Sequence, residues 1–121
     1  MSGKSKPRSK VSAPAPKVLS DAALEMIAAR FRAYAEPMRL RLLNHLMQGE
    51  ATVGQLVEAT GSGQANVSKH LSILREAGLI SARKAGLSTI CFISDPTVME
   101  LCDLMCRRLQ QQLSENARHF R

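Results

Sequence analysis

The stretch from Thr60 to Leu71 constrains this chain more than any other, because it has the pattern of a glycine-bearing turn that opens a short helix. One face of that helix is apolar, since Val67, Leu71 and Leu74 recur at helical spacing. The other face carries small and polar side chains. The pattern predicts a helix with one side for a core and another that can enter a groove.

A second short helix is predicted directly before this one. Thr52 and Gln55 have the spacing of a capping box, in which the side chain of each residue accepts a hydrogen bond from the backbone N–H of the other. The following helix is expected to begin at Gly63 or Gln64 and to end at Ala77. Two helices joined by a short turn that contains glycine are typical of a helix-turn-helix.

Two strand-like runs follow, at residues 80–84 and 88–93, around a turn at residues 85–87. They predict a small β-hairpin, which is called a wing when it flanks a helix-turn-helix. The expected fold is therefore mainly α with a small β-hairpin wing, a winged helix-turn-helix of five helices.

Three further helices have apolar stripes and start signals. Ser20 caps the first, Pro37 starts the second, which ends near Gln48, and Asp95 with Pro96 starts the last, which runs from residue 97 to about 117. Helices two to four and the hairpin already use the core of so small a domain. The apolar first and last helices therefore predict a dimer that forms through them. Their apolar positions include Leu24, Ile27, Phe31, Tyr34, Val98, Cys102, Met105, Cys106, Leu109 and Leu113.

The positive charge is concentrated at the N-terminus. Of the formal net charge of +7, five basic residues and no acidic residue lie in residues 1–17, which are also rich in proline, serine and alanine. We expect residues 1–18 to be a disordered basic tail, residues 19–117 to be the domain and residues 118–121 to be a frayed end. The tail either adds salt-dependent attraction to phosphate or only aids solubility.

Composition and motifs disfavour several classes of protein. No apolar run approaches membrane-spanning length, and no apolar segment follows the N-terminal charges as it does in a secretory signal. Three cysteines, an odd number, predict reduced thiols and a cytoplasmic protein. No paired acid and base, glycine-rich phosphate loop or Ser/His/Asp set is present, so we expect no enzymatic activity.

Two segments resemble the ArsR/SmtB family of small dimeric winged helix-turn-helix repressors. Residues 34–46 resemble the opening of the family's second helix, and residues 64–71 followed by 74–80 resemble its DNA-recognition helix and exit. The resemblance covers roughly residues 20–115. It implies a homodimer that binds an inverted-repeat operator on double-stranded DNA and releases it when an inducer binds. The alternative is an interaction module whose helix-turn-helix pairs with protein.

The resemblance places the DNA contacts on the first turns of the recognition helix and on the wing. Glutamine and asparagine can pair with adenine, lysine favours guanine or phosphate, and serine is adaptable. On the wing, two basic residues before the tip are expected to touch phosphate or the minor groove. The candidates are Gln64, Asn66, Ser68 and Lys69 on the helix and Arg83 and Lys84 on the wing.

The sequence constrains the identity of the inducer less than it constrains the DNA contacts. Thr52 and Gly54 occupy the places of the cysteines in the family's best-known metal motif, so that site is not expected. Cys102 and Cys106 lie one helical turn apart. With Cys91 or a partner's thiol they can form a three-sulfur site for a soft metal or a metalloid such as arsenite, or they can be oxidised. Alternatively, all three cysteines are packing residues and the protein has no metal or redox ligand.

Overall fold

The computed structural model describes residues 18–119 of the chain, with side chains described as far as residue 116. The predicted tail, apart from its last residue, therefore lies outside the described residues. The elements are α1 (Asp21–Tyr34), α2 (Pro37–Leu46), β1 (Ala51–Thr52), α3 (Val53–Thr60), α4 (Gln64–Glu76), β2 (Ile80–Ala85), β3 (Ser88–Ile93) and α5 (Thr97–His119). The predicted winged helix-turn-helix of five helices is confirmed, and α5 continues two residues beyond its expected end.

The helix starts follow local side-chain chemistry. Ser20 Oγ accepts a hydrogen bond from the backbone N–H of Ala23 at 3.1 Å, as its position before α1 predicts. At the start of α3, Thr52 Oγ1 accepts from the Gln55 N–H at 3.1 Å, and Gln55 Oε1 accepts from the Thr52 N–H at 2.8 Å. Both bonds of the predicted capping box are present.

The sheet has one strand more than the predicted hairpin. Its order is β1-β3-β2, with both pairings antiparallel. The additional strand is only two residues long, and Ala51 pairs with Cys91 at the centre of β3. This pairing attaches the base of the wing to the loop that follows α2.

The core lies between α2, α3, α4 and the sheet. As predicted, the apolar face of α4 is buried, with Val67 and Leu74 fully inaccessible and Leu71 nearly so. The other fully buried side chains come from four elements or their ends: Leu42, Leu43, Leu56, Leu79, Ile80 and Val98. Burial of one face of α4 leaves its opposite face in solvent.

Arg39 of α2 holds α4 against the end of α1. Its Nη1 lies 3.0 Å from Nδ1 of His70, which is 7% exposed, and its Nε donates to the Ala33 carbonyl at 2.8 Å. Because a guanidinium can only donate, this contact is a hydrogen bond in the His70 tautomer that carries its ring proton on Nε2. The buried His70 is therefore a packing residue of α4.

The faces of α1 and α5 that were predicted to be apolar are largely exposed in the protomer. An apolar groove of about 770 Å³ runs between the two helices. Exposed apolar side chains on α1 and α5 are Leu24, Met26, Ile27, Phe31, Met99, Leu104, Met105, Leu109 and Leu113. No helix in residues 18–119 is long and apolar enough to cross a membrane.

Candidate nucleic-acid interface

The turn between α3 and α4 is formed by residues 61–63. Gly61 ends α3 in the left-handed conformation, with φ of +70°, where an L side chain is strained. Helix α4 then starts without a side-chain cap on Gly63, and Ser62 Oγ instead accepts from Asn66 Nδ2 at 2.9 Å. The first turn of α4 therefore keeps free backbone N–H groups at an exposed end, which favours a nearby anion.

The four predicted contact residues of α4 are all exposed but differ in their surroundings. Gln64 and Ser68 line a cleft between α4 and the wing. Lys69 is exposed and has no ion-pair partner among the residues that the structure describes. Asn66 is bound to Ser62 on the turn. Three of the four side chains are thus available for DNA without breaking a side-chain contact.

The two predicted contact residues of the wing also differ in their surroundings, because Arg83 has an ion-pair partner and Lys84 is exposed. Arg83 forms a bidentate ion pair with Glu50, at 2.8 and 3.0 Å, and its guanidinium lies 5.6 Å from the centre of the Phe92 ring. The hydrogen bonds from Arg83 hold the pKa of Glu50 below its usual value. Lys84, the next residue, is exposed. The charge of Arg83 is largely compensated within the protein.

The cleft between α4 and the wing, called here the wing cleft, has a volume of about 470 Å³. It contains Arg75, which was not predicted as a contact residue. The signal was present in the sequence, because Arg75 follows Gln64 and Ser68 at intervals that place all three on one side of α4. The cleft is lined by Thr52, Val53, Gly54, Gln64, Ser68, Leu71, Ser72, Arg75, Leu87, Ser88, Thr89 and Cys91.

The three cysteines lie in different surroundings. Cys91 is 2% exposed in the central strand, and burial raises the pKa of its thiol although the charge of Arg75 acts in the opposite direction. Cys102 is partly buried on α5, and burial raises its pKa too, whereas Cys106 is exposed. Within the described part of one protomer, no three His, Cys, Asp or Glu residues are grouped to hold a metal ion.

A polar junction connects α1 and the start of α5 to the exit of α4. Arg30 of α1 donates to Asp95 Oδ2 at 2.6 Å, and Asp95 Oδ1 accepts from the Thr97 N–H and hydroxyl at 2.9 and 2.7 Å. The bonds from Thr97, together with Arg30, hold the pKa of Asp95 below its usual value. The Ser94 N–H donates to the Leu79 carbonyl at 3.1 Å. These contacts join α1 and the start of α5 to the residues that follow α4.

Comparison with protein families and curated proteins gives a consistent result. The model described as "Bacterial regulatory protein, arsR family" matches residues 36–82. The probable mercury resistance operon repressor of Streptomyces lividans is 44% identical over 71 residues, which are 59% of this chain and 57% of that protein. The HTH-type transcriptional regulator NmtR of Mycobacterium tuberculosis is 36% identical over 96 residues, 79% of this chain and 77% of that protein. These relatives are named as regulators and not as enzymes.

Solved structures share the fold. The crystal structure of M. tuberculosis Rv0081 matches with a TM-score of 0.73 and 31% identity, over 81% of this chain and 99% of that chain. The homodimeric winged helix-turn-helix DNA-binding domain of Mb0332 from Mycobacterium bovis matches with the same TM-score and identity, over 80% of this chain and 93% of that chain. The chain spans only 57% of the S. lividans repressor, so that protein's own response does not transfer directly.

Proposed function

Because the chain belongs to the arsR family of bacterial regulatory proteins, we propose that it is a homodimeric repressor that binds an inverted-repeat operator. One observation carries the proposal. Helix α4 is buried on its apolar face, and it presents Gln64, Ser68 and Lys69 to solvent beside a wing. Operator binding would place the protein in the cytoplasm, where the chromosome is.

In this proposal the first two turns of α4 enter the major groove. Gln64 can pair bidentately with adenine, Lys69 can donate to guanine O6 and N7, and Ser68 can donate or accept. Asn66 can read a base only if it leaves Ser62. On the wing, Lys84 provides the phosphate contact, because Arg83 would first have to give up Glu50. Arg83 then serves mainly to fix the wing to the loop before β1.

Dimerisation through α1 and α5 supplies a second copy of α4, which contacts the second half of the operator. A single α4 contacts only a few base pairs, whereas two copies related by a two-fold axis read two half-sites about one duplex turn apart. The exposed apolar faces of both helices support this assignment, because a monomer would leave them in water.

For the inducer, we propose a soft metal, a metalloid such as arsenite or a thiol-reactive species that acts on Cys102 and Cys106. The two thiols lie one turn apart on a helix that carries the proposed dimer face. Soft ions prefer thiolate ligands, and a third thiolate would come from the partner, since one protomer groups no three ligands within its described residues. Buried Cys91 is the least accessible candidate.

A second reading, in which the cysteines only pack, is favoured by burial. Cys91 is a core residue, Cys102 packs against the core, and both thiols have pKa values raised by burial. Metal ligation and nucleophilic attack both need the thiolate, which burial disfavours. The protein would then be a repressor without a metal or redox ligand.

The test of operator binding uses DNA that flanks the protein's own gene, because repressors of this kind commonly control neighbouring genes. We expect the wild-type chain to retard one duplex and Lys69→Ala to weaken that binding at least about tenfold, through loss of a base or phosphate contact in each protomer. Arg107→Ala removes the same charge from α5 and is the matched control, with unchanged affinity. Binding is measured by titration at fixed ionic strength.

Two outcomes would contradict this expectation. If the wild-type chain binds no flanking duplex but is a dimer, the interaction-module alternative holds instead. If Lys69→Ala and Arg107→Ala bind as tightly as the wild type, DNA is not read by this part of α4.

A further inference from the structure

The wing cleft has the chemistry of a site for an anion. Of the described residues that line it, one is a cation, Arg75, and none is acidic. Hydroxyl groups surround that cation: Ser68 and Ser72 lie on α4 and Ser88 and Thr89 lie on β3. An arginine with several hydroxyl donors is the combination that binds phosphate oxygens through charge-assisted hydrogen bonds.

Arg75 also lacks a hydrogen-bond or ion-pair partner among the described residues, which distinguishes it from other arginines near the interface. Its side chain makes no hydrogen bond or ion pair with any residue in the described part of the chain. By contrast, Arg83 is bound to Glu50, Arg39 to two carbonyl groups and His70, and Arg30 to Asp95. An exposed arginine without an internal partner retains its full charge for a ligand.

The position of Arg75 identifies that ligand. It lies on the same side of α4 as Gln64 and Ser68, two proposed DNA contacts, and toward the opposite end of the helix. A duplex whose bases reach Gln64 must carry its sugar-phosphate backbone past the flank of α4. The wing forms the other wall of that path, so the group that meets Arg75 is a backbone phosphodiester.

We propose that Arg75 binds a backbone phosphate of the operator in the wing cleft and thereby fixes the register of α4 on the duplex. The inference rests on the proposed DNA-binding function and extends it to a residue and a site outside the recognised contact set. Phosphate contacts position a protein without reading sequence. Arg75 is thus a positioning residue, and the uncompensated arginine beside the wing is Arg75 and not Arg83.

The experiment measures how the binding constant depends on salt concentration, for the operator and for a duplex of scrambled sequence. Each phosphate that a protein neutralises contributes about 0.9 to the slope of log K against log salt, so Arg75→Gln lowers the slope of a dimer by roughly 2. Affinity for both duplexes falls by the same factor, about tenfold or more at ~0.1 M salt, because two charge-assisted contacts are lost.

Three variants control for charge and folding. Arg75→Lys keeps the cation and retains a slope close to that of the wild type. Arg107→Gln removes the same charge from the exposed surface of α5, and its slope is unchanged. The double variant Asp103→Asn/Arg107→Gln removes a compensated pair from α5 without changing the net charge, and its slope is also unchanged. Circular dichroism verifies that each variant is folded.

The inference is overturned if Arg75→Gln has the wild-type slope, if it weakens only the operator and not the scrambled duplex, or if Arg75→Lys behaves like Arg75→Gln. In each case the wild-type chain still binds DNA, so the proposed function stands. If instead the wild-type chain binds neither duplex, the proposed function fails, and the role of Arg75 fails with it.

Discussion

Arg39 connects α4, the proposed DNA-reading helix, to the end of α1. Its guanidinium donates to the carbonyl groups of Arg32 and Ala33 at the end of α1 and to Nδ1 of His70 on α4. The last carbonyl groups of a helix have no partner within the helix, and a cation there also interacts favourably with the helix dipole. A single side chain therefore satisfies groups on two helices.

We predict that Arg39→Ala lowers the free energy of unfolding by about 2 kcal/mol, because the buried ring nitrogen of His70 and the Ala33 carbonyl lose their donor, whereas the Arg32 carbonyl keeps the Ala35 N–H. Urea denaturation monitored by circular dichroism measures the change. Arg41→Ala is the matched control on the same helix, since Arg41 makes one long hydrogen bond among residues 18–119, 3.4 Å to the Thr60 carbonyl. Equal effects of the two substitutions would contradict this role for Arg39.

The residues that sequence analysis identified correctly act locally. Ser20, Thr52 and Gln55 cap helices through partners three positions away, so their pattern is visible in the sequence. The contacts that sequence analysis missed join residues that are far apart along the chain. Arg39 and His70 are separated by 31 positions, and Arg83 and Glu50 by 33. Which arginine remains free for DNA depends on these pairings, and only the folded chain determines them.

At the scale of elements, sequence periodicity predicted all five helices and both wing strands but not β1. That strand has two residues, too few for any alternation, and it exists because β3 offers an unpaired edge. Helix α5 also shows what sequence periodicity cannot predict, which is the burial of individual side chains. Its stripe predicted a shared face for Cys102 and Cys106, whereas the structure adds that the first is partly buried and the second exposed.

For α5 we predict that Cys102→Ser/Cys106→Ser abolishes operator release by mercuric ion, arsenite, cadmium or persulfide, whereas Cys91→Ala still releases. Release is followed by fluorescence anisotropy of a labelled operator. Burial raises the pKa of Cys102, and the thiolate is the reacting form. The reagent concentration that releases the wild-type protein from the operator should therefore fall as the pH increases toward the raised pKa of Cys102. Unaltered release from the double variant would assign these cysteines to packing.

At the scale of the whole molecule, the proposed operator binding requires two protomers acting together. The apolar faces of α1 and α5 leave large side chains exposed, among them Phe31 and Leu109 at 56% and 49%. The ion pair of Arg30 with Asp95 joins α1 to the loop before α5, and the bond from the Ser94 N–H to the Leu79 carbonyl joins that loop to the exit of α4. In the proposed dimer, contacts through α1 and α5 determine the spacing of the two copies of α4, and the proposed ligand on α5 would change that spacing without touching α4.

The most direct test is a nuclease footprint on DNA that flanks the gene, compared between the wild type, Leu109→Glu and the control Val18→Glu, a substitution at a 97% exposed position before α1. We predict two protected half-sites with centres about 10 base pairs apart for the wild type and for Val18→Glu. Leu109→Glu should be monomeric by sedimentation and should protect neither half-site. Protection of a single half-site by the wild type, or two protected half-sites with a monomeric Leu109→Glu, would contradict the account.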